Sequence, residues 1–468
     1  MSQALPKGGG AVAGALPELL RDALSRPSAG AGLRIVFPAP TCRVEALLRV
    51  RPDEDAIVWA PPTGPAFAGV GAYARLELRG RDELAALEAE GRRRLGEVET
   101  RGIGSVEPLP PRLYGGMAFD PRTAEGGPWA GFGAGAFVLP RWTLQVEAHG
   151  ATLALCVSEA ERAGRAEALI EEALGLCAQL DRDSVAAPQG IWPAPVEELD
   201  PSRWAEMIAE IKGMIAAGEA AKVVAARCGH ARLPAPIDEA RVIERLSAEY
   251  EDCYRFGRRA GGATFLGATP ERLVALDGDE VRVTCLAGSI AASSGPVLSP
   301  DADPARQLLA SEKDLGEHQQ VVEMVRGALA ELVSERDPPE GPEVRSLRHL
   351  LHLHTPYTGR LRRPAHVLEL VARLHPTPAV GGAPRAPALD WISRQEPTPR
   401  GWYAGPFGWF DGEGGGELSV SIRSALLRGE EAWIFTGAGI VADSDPAAEY
   451  AETALKQRPM RRALGISG

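Results

Sequence analysis

Several features that would narrow the function at once are missing from this chain of 468 residues. No run approaches the roughly 18 consecutive apolar residues of a membrane span. The apolar stretch near the start is soon broken by Pro17, Glu18 and Asp22, so it reads as neither span nor secretion signal. There is no basic block: 51 Lys and Arg stand against 63 Asp and Glu, a formal charge of −12, which argues against nucleic acid or an anionic membrane as partner. The six cysteines (Cys42, Cys156, Cys177, Cys228, Cys253 and Cys285) are scattered singly, without a C-x-x-C pair or a histidine at zinc-finger spacing. That excludes a disulfide framework and fits reduced thiols in a cytoplasm. The phosphate loop G-x-x-x-x-G-K-[ST], the helix H-E-x-x-H and the elbow G-x-S-x-G are absent as well. What remains is a soluble, cytoplasmic globular protein.

A hydrophobic content of 45% is enough for a substantial core, and 53 glycines with 39 prolines suit a loop-rich fold with many tight bends. Residues 1–32 are rich in Ala and Gly, with one short helix and weak order expected before the strand "LRIVF". Across 33–180 short β-like runs such as "DAIVWA", "YARLEL" and "ATLALCV" alternate with helices at "RDELAALEAEGRRRL" and "ERAGRAEALIEEALGLCAQL", an α+β half. Residues 181–200 hold three prolines and little periodicity, which marks a linker or crossing strap. From 201 to 468 the pattern is helix, strand "AKVVAARCGHARL", a strand-bend-strand at "FLGATPERLVAL", a long helix capped by Ser311, and "ELSVSIRSALLRGEEAWIFTGAGIV" as a hairpin of two strands.

Two helices each carry acids three apart, Asp314 with Glu317 and Glu449 with Glu452, so each pair shares a face. Facing one another they would make an oxygen-rich site for a hard cation such as Mg²⁺. Each pair also has an ordinary use: Asp314 has capping-box spacing from Ser311, Glu449 suits a helix start, and Glu452 can pair with Lys456. Lys222 shares a strand face with Val224 and Ala226, where apolar neighbours disfavour the charged form and make a usable base; a solvated strand end is the alternative. Glu271, at the bend after Pro270, is either a protonated general acid or a surface partner of Arg272. Arg423 falls on the polar face of its strand with Ser419 and Ser421, where its fork can hold a carboxylate or face solvent. The turns "LAGS" and "GAGI" bring backbone amides close enough to meet an anion. His349, His352 and His354 lack the i,i+4 spacing of a helical metal pair, and the alternation of His352 with His354 indicates strand or loop, with metal ligation not expected.

Taken in order, "KVVAAR", "FLGATPERL", "CLAGS", "SEKDLGEH", "LHPTPAVGG", "RGWYAGPFGW", "SIRSA" and "GAGIVADSDPAAEYAET" resemble the chorismate-utilising enzymes over roughly residues 200–460. A weaker likeness at "PRLYGGMAFDP" and "FVLPRWTL" reaches into the first half. The resemblance implies an α+β fold of two stacked, mostly antiparallel sheets wrapped by helices, around a Mg²⁺-dependent site. In it Glu317 and Glu452 take the metal directly, with Asp314 and Glu449 as outer partners through water. Mg²⁺ receives the ring carboxylate of chorismate. Arg423, Tyr403 and the amides around Gly288, Gly437 and Gly439 receive the enolpyruvyl carboxylate, with Lys456 helping to balance charge.

Lys222 takes the place of the family's general base and Glu271 that of its general acid, for water attack at C2 and loss of the C4 hydroxyl. Anthranilate synthases carry Gln where Lys222 stands and need a glutaminase, and aminodeoxychorismate synthases carry Lys where Ala287 stands. The isomerising branch therefore fits, as a monomer without a glutaminase subunit, with a lean toward menaquinone rather than siderophore supply. The alternative is the branch that goes on to eliminate pyruvate and form salicylate. Two departures bear on it: Cys285 replaces a frequent proline, and His354 holds a variable position that lies near the ring in relatives.

Overall fold

The computed structural model describes residues 9–466 apart from 105, 125, 183–191, 292–302, 338 and 348–349. Burial along the strands shows how many faces each one covers. Ala74–Leu78 alternates buried and exposed, as an edge strand with one wet face should, whereas Ala56–Ala60 and Ala263–Thr269 are buried throughout, so both their faces are covered. Among the described residues the strands form one sheet of thirteen and another of ten, paired antiparallel except where Gly32–Ala39 runs parallel to Val98–Gly102. The sheets meet across an aromatic layer in which Phe256 and Trp59 of the larger sheet lie 5.0 and 6.4 Å from Phe407 of the smaller.

Helices close the outside. Gly9–Ser25, Glu159–Arg182, Glu239–Glu249 and Pro446–Leu464 bury Leu20, Leu169, Ile243 and Met460 on the outer face of the larger sheet. Glu312–Leu329 and Val367–Leu374 pack on the smaller one. This is the α+β architecture of two stacked sheets wrapped by helices.

Two readings change, and one of two alternatives is selected. The first 32 residues contain a seventeen-residue helix, Gly9–Ser25, whose Leu16, Leu20 and Leu24 are buried in that outer core, so packing orders a segment whose composition suggested little order. The segment after 191 is a strap: Val196–Glu197 pairs with the strand Lys222–Arg232, and Glu198 forms ion pairs with both Arg227 and Arg461.

The two-strand hairpin is in fact three strands in two sheets. Gly416–Val420 belongs to the smaller sheet, while Ser424–Arg428 and Glu431–Ile440 belong to the larger. The chain crosses between sheets at residues 421–423, and Arg423 occupies that corner with φ +54, a left-handed backbone unusual for arginine. It is therefore not on a strand face with Ser419 and Ser421. The reverse crossing falls at Pro270 and Glu271, between Ala263–Thr269 of the larger sheet and Arg272–Asp277 of the smaller. The two corners are stitched together by Val420 N–H to the Glu271 carbonyl at 3.0 Å and Ala268 N–H to the Arg423 carbonyl at 3.2 Å.

Candidate active site

The crossings open a cavity of about 120 Å³ between the sheets. Its walls carry Glu271, Gly288, Asp314, Glu317, Tyr403 and Arg423, together with Gly437, Gly439, Glu449, Glu452 and Lys456. Lys222 is the exception among the expected site residues. Fully buried, it lies beneath the wall and reaches the cavity through Glu317, to which its Nζ donates at 2.5 Å. Gly439 makes room for that contact, since a Cβ there would stand 2.6 Å from Lys222 Cε.

The acid end is dry. Glu271 is 4% exposed, and burial pushes its carboxyl up to about 8, against the pull of Lys222 in the other direction. A carboxyl raised that far favours its protonated form at neutral pH, and Glu271 is not a surface partner of Arg272, which pairs with Glu417 at 2.9 Å. Burial also draws the Arg423 guanidinium below its usual range, although Tyr403 and Glu452 oppose this. Among the described residues that guanidinium makes no hydrogen bond or ion pair, so its fork is available to a carboxylate. Tyr403 stacks on Phe435 at 5.4 Å, and burial raises its phenol to about 12, which keeps it a neutral donor.

At the opposite end every acid is engaged. The helix Glu312–Leu329 starts where Ser311 Oγ accepts from Asp314 N–H at 3.2 Å and donates back to the Asp314 carboxylate. The helix Pro446–Leu464 starts where Asp445 accepts from Ala448 N–H at 2.8 Å, with proline in its first position. These caps present the two acid pairs to the cavity. Glu317 holds Lys222, Glu452 Oε1 accepts from Lys456 at 2.6 Å, and Glu449 Oε1 accepts from Ser444 Oγ at 2.8 Å and Lys313 Nζ at 3.3 Å. Burial raises the Glu449 carboxyl, while Ser444 and Lys313 pull it down. Lys456 also donates to the Gly437 carbonyl at 3.1 Å.

The donors are all oxygens, the chemistry a hard cation such as Mg²⁺ requires. As they stand, no three histidine, cysteine or carboxylate side chains among the described residues converge as a metal cluster, each acid being drawn to a lysine or a hydroxyl. The set fits a cation in kind and charge, and the lysines act as its counter-ions.

Two ionisable cavity residues carry no role in the sequence reading. Lys313 reads there as a surface lysine between two acids. His352 lines the cavity, whereas His354 does not; the latter lies 4.0 Å from Glu343. Burial, with Arg423 and Lys456 adding to it, pushes His352 down to about 3, which favours a neutral imidazole, and its buried Nε2 has no hydrogen-bond partner among the described residues. His349 lies outside the described residues.

Residues 32–465 match the model of a family described as chorismate binding enzyme. The chain belongs to this family. Among curated relatives of this chorismate-binding protein is the isochorismate synthase MenF of Bacillus subtilis, 39% identical over 76% of this chain and 75% of that one. The salicylate biosynthesis isochorismate synthase of Pseudomonas aeruginosa is 37% identical over 88% of this chain and 85% of its own. Among solved structures, the menaquinone-specific isochorismate synthase MenF of Escherichia coli superposes with a TM-score of 0.77 at 27% identity, covering 96% of this chain and 99% of that one.

Proposed function

We propose that this chorismate-binding enzyme is an isochorismate synthase, an isomerase that interconverts chorismate and isochorismate. One observation carries the reading: a single cavity between the sheets combines a protonated buried acid, Glu271, with a buried amine, Lys222, beneath its acidic wall. The reaction needs that division of labour. A water attacks C2 and gives a proton to Lys222 Nζ, the ring double bonds shift, and the C4–O bond breaks as Glu271 protonates the departing hydroxyl. One water enters and one leaves.

To take that proton Lys222 Nζ needs a free lone pair, and its hydrogen bond to Glu317 at 2.5 Å uses a donor hydrogen and leaves the lone pair unblocked. Arg423 and Tyr403, aided by amides around Gly288, Gly437 and Gly439, bind the enolpyruvyl carboxylate and so fix the ring between base and acid. Such positioning contributes several kcal/mol, of order ~7. Glu317 and Glu452 would hold Mg²⁺, with Asp314 and Glu449 outside them through water. Bound there, the ion would supply neutralising charge for the ring carboxylate, and Lys456 would add to it.

Because the nucleophile is water, no ammonia and no glutaminase subunit are needed, and we read the enzyme as a monomer. No helix among the described residues is long and apolar enough to cross a membrane, which supports a cytoplasmic placement. The likeness over nearly the whole chain to a menaquinone-specific enzyme supports menaquinone supply rather than a siderophore route.

The test is to incubate purified protein with chorismate and Mg²⁺ and separate the products by chromatography. Isochorismate in an equilibrium mixture, abolished by EDTA, is the expected result. Salicylate with equal pyruvate would replace the isomerase by the lyase, and no product would refute both.

A further inference from the structure

The strand Lys222–Arg232, which begins with the base, has two unlike edges. One pairs continuously with Glu431–Ile440 from Val223 to Arg232. The other pairs only at its ends, Lys222 and Val223 with Gly382–Ala383, and His230 and Ala231 with Val196–Glu197. Val224 N–H still finds the Gly381 carbonyl at 2.9 Å, but no strand among the described residues lies beyond it to take the Val224 carbonyl or the Ala226 N–H. Buried backbone groups left unpaired destabilise by an amount comparable to a lost hydrogen bond.

Two side chains stand in for the missing strand. Arg400 Nη2 donates to the Val224 carbonyl at 2.8 Å, and Glu396 Oε1 accepts from Ala226 N–H at 2.9 Å. The two residues, four apart in the segment that follows the helix Arg385–Gln395, join through Arg400 Nε to Glu396 Oε2 at 2.8 Å and Nη2 to Oε1 at 2.5 Å. Arg400 Nη1 reaches further, to the Val380 carbonyl at 2.7 Å, and the Arg400 carbonyl accepts from Tyr403 N–H at 2.9 Å. The guanidinium lies 4.3 Å over the Phe119 ring, and neither side chain of the pair is more than 3% exposed. Neither lines the cavity, yet Val224, Val380 and Tyr403 all do.

We propose that the Glu396–Arg400 pair is a positioning device, a two-residue substitute for a strand that sets where Lys222 and the walls formed by Val380 and Tyr403 stand around the substrate. It rests on the proposed isomerase reading. A lysine could not replace Arg400, because only a planar fork serves two carbonyls and a carboxylate at once.

The test uses Arg400→Lys, Glu396→Gln and the double variant Glu396→Leu with Arg400→Met, since well-packed apolar replacement of a buried ion pair often leaves stability intact. Turnover, KM for chorismate, melting temperature and amide exchange across 222–228 are measured on each. Misplacing a catalytic group by an ångström can cost about 100-fold, so Arg400→Lys and the double variant should lose at least about tenfold in kcat. Their KM should change less than about threefold, and the Ala226 amide should exchange faster. Glu396→Gln, which keeps an acceptor for that amide, should retain most turnover. Wild-type kcat in the double variant, or a loss of activity that merely follows the loss of folded protein, would overturn the proposal. Failure of the wild-type enzyme to make isochorismate would sink the isomerase reading instead, and amide exchange would still judge the pair.

Discussion

The two ends of the cavity treat charge in opposite ways. Where the chain crosses between sheets, Glu271 is shielded from water and Arg423 half-buried, neither with an ion-pair partner among the described residues, and burial shifts both toward their neutral forms. Where the two capped helices meet, Glu317, Glu452 and Glu449 each hold a lysine, and Asp314 holds a serine. Desolvation without a partner tunes a group for proton transfer or for seizing an oppositely charged ligand; pairing leaves acids ready to exchange one cation for another. One site thus combines an unpaired buried acid with carboxyl groups that already hold cationic side chains.

The strongest way to break this contrast is to remove its proton carriers. Lys222→Ala and Glu271→Gln should each lower turnover about 10²–10⁴-fold while chorismate binding, followed by calorimetry, survives. Wild-type turnover in either would remove that residue from the chemistry. At the paired end Glu452→Gln should weaken Mg²⁺ and substrate binding together, and Glu449→Gln, an outer partner, should weaken Mg²⁺ about 10- to 100-fold in a metal titration. An unchanged Mg²⁺ requirement in both variants would mean that the lysines are permanent partners of these acids.

The pH dependence sharpens the contrast further. Glu271 is protonated below about 8, so forward turnover should fall as pH rises through that value. Its carboxyl is raised from 4.5 to about 8 in the folded protein, so the native state binds the proton more tightly and loses stability as pH climbs between the two. Glu271→Gln should therefore melt about a few degrees higher than wild type at pH 9 and gain less at pH 5, as scanning calorimetry would show. The smallest effect separates two histidines: His352→Asn should slow turnover about tenfold through a lost cavity contact, whereas His354→Asn should change it less than about twofold. Equal effects would mean that cavity position does not distinguish them.

Much of this was legible in the residues themselves. Glu449 and Glu452 with Lys456, and Asp314 and Glu317 after Ser311, announce their shared helix faces by spacing alone. Arg423 was assigned to the polar face of a strand because "SVSIRSALL" alternates, and alternation along one chain does not reveal that the chain changes sheets at residue 421. His352 and His354 share a strand face, so a period of two cannot choose between them. The choice falls beside a register shift between Ala287 and Ser289 on the neighbouring strand, a non-local feature. The same holds for Glu396 and Arg400, whose role depends on a strand edge that pairing leaves open more than 150 residues earlier in the chain.

The central claim is that water supplies the new hydroxyl with Lys222 as base while Glu271 expels the old one. It is tested most directly by running the isomerisation in ¹⁸O-labelled water and locating the label by mass spectrometry. Isochorismate carrying one ¹⁸O at the C2 hydroxyl, formed by wild type and lost in Lys222→Ala, is the predicted result. Unlabelled isochorismate would show that the C4 hydroxyl migrates without leaving, and would contradict the assignment of both residues.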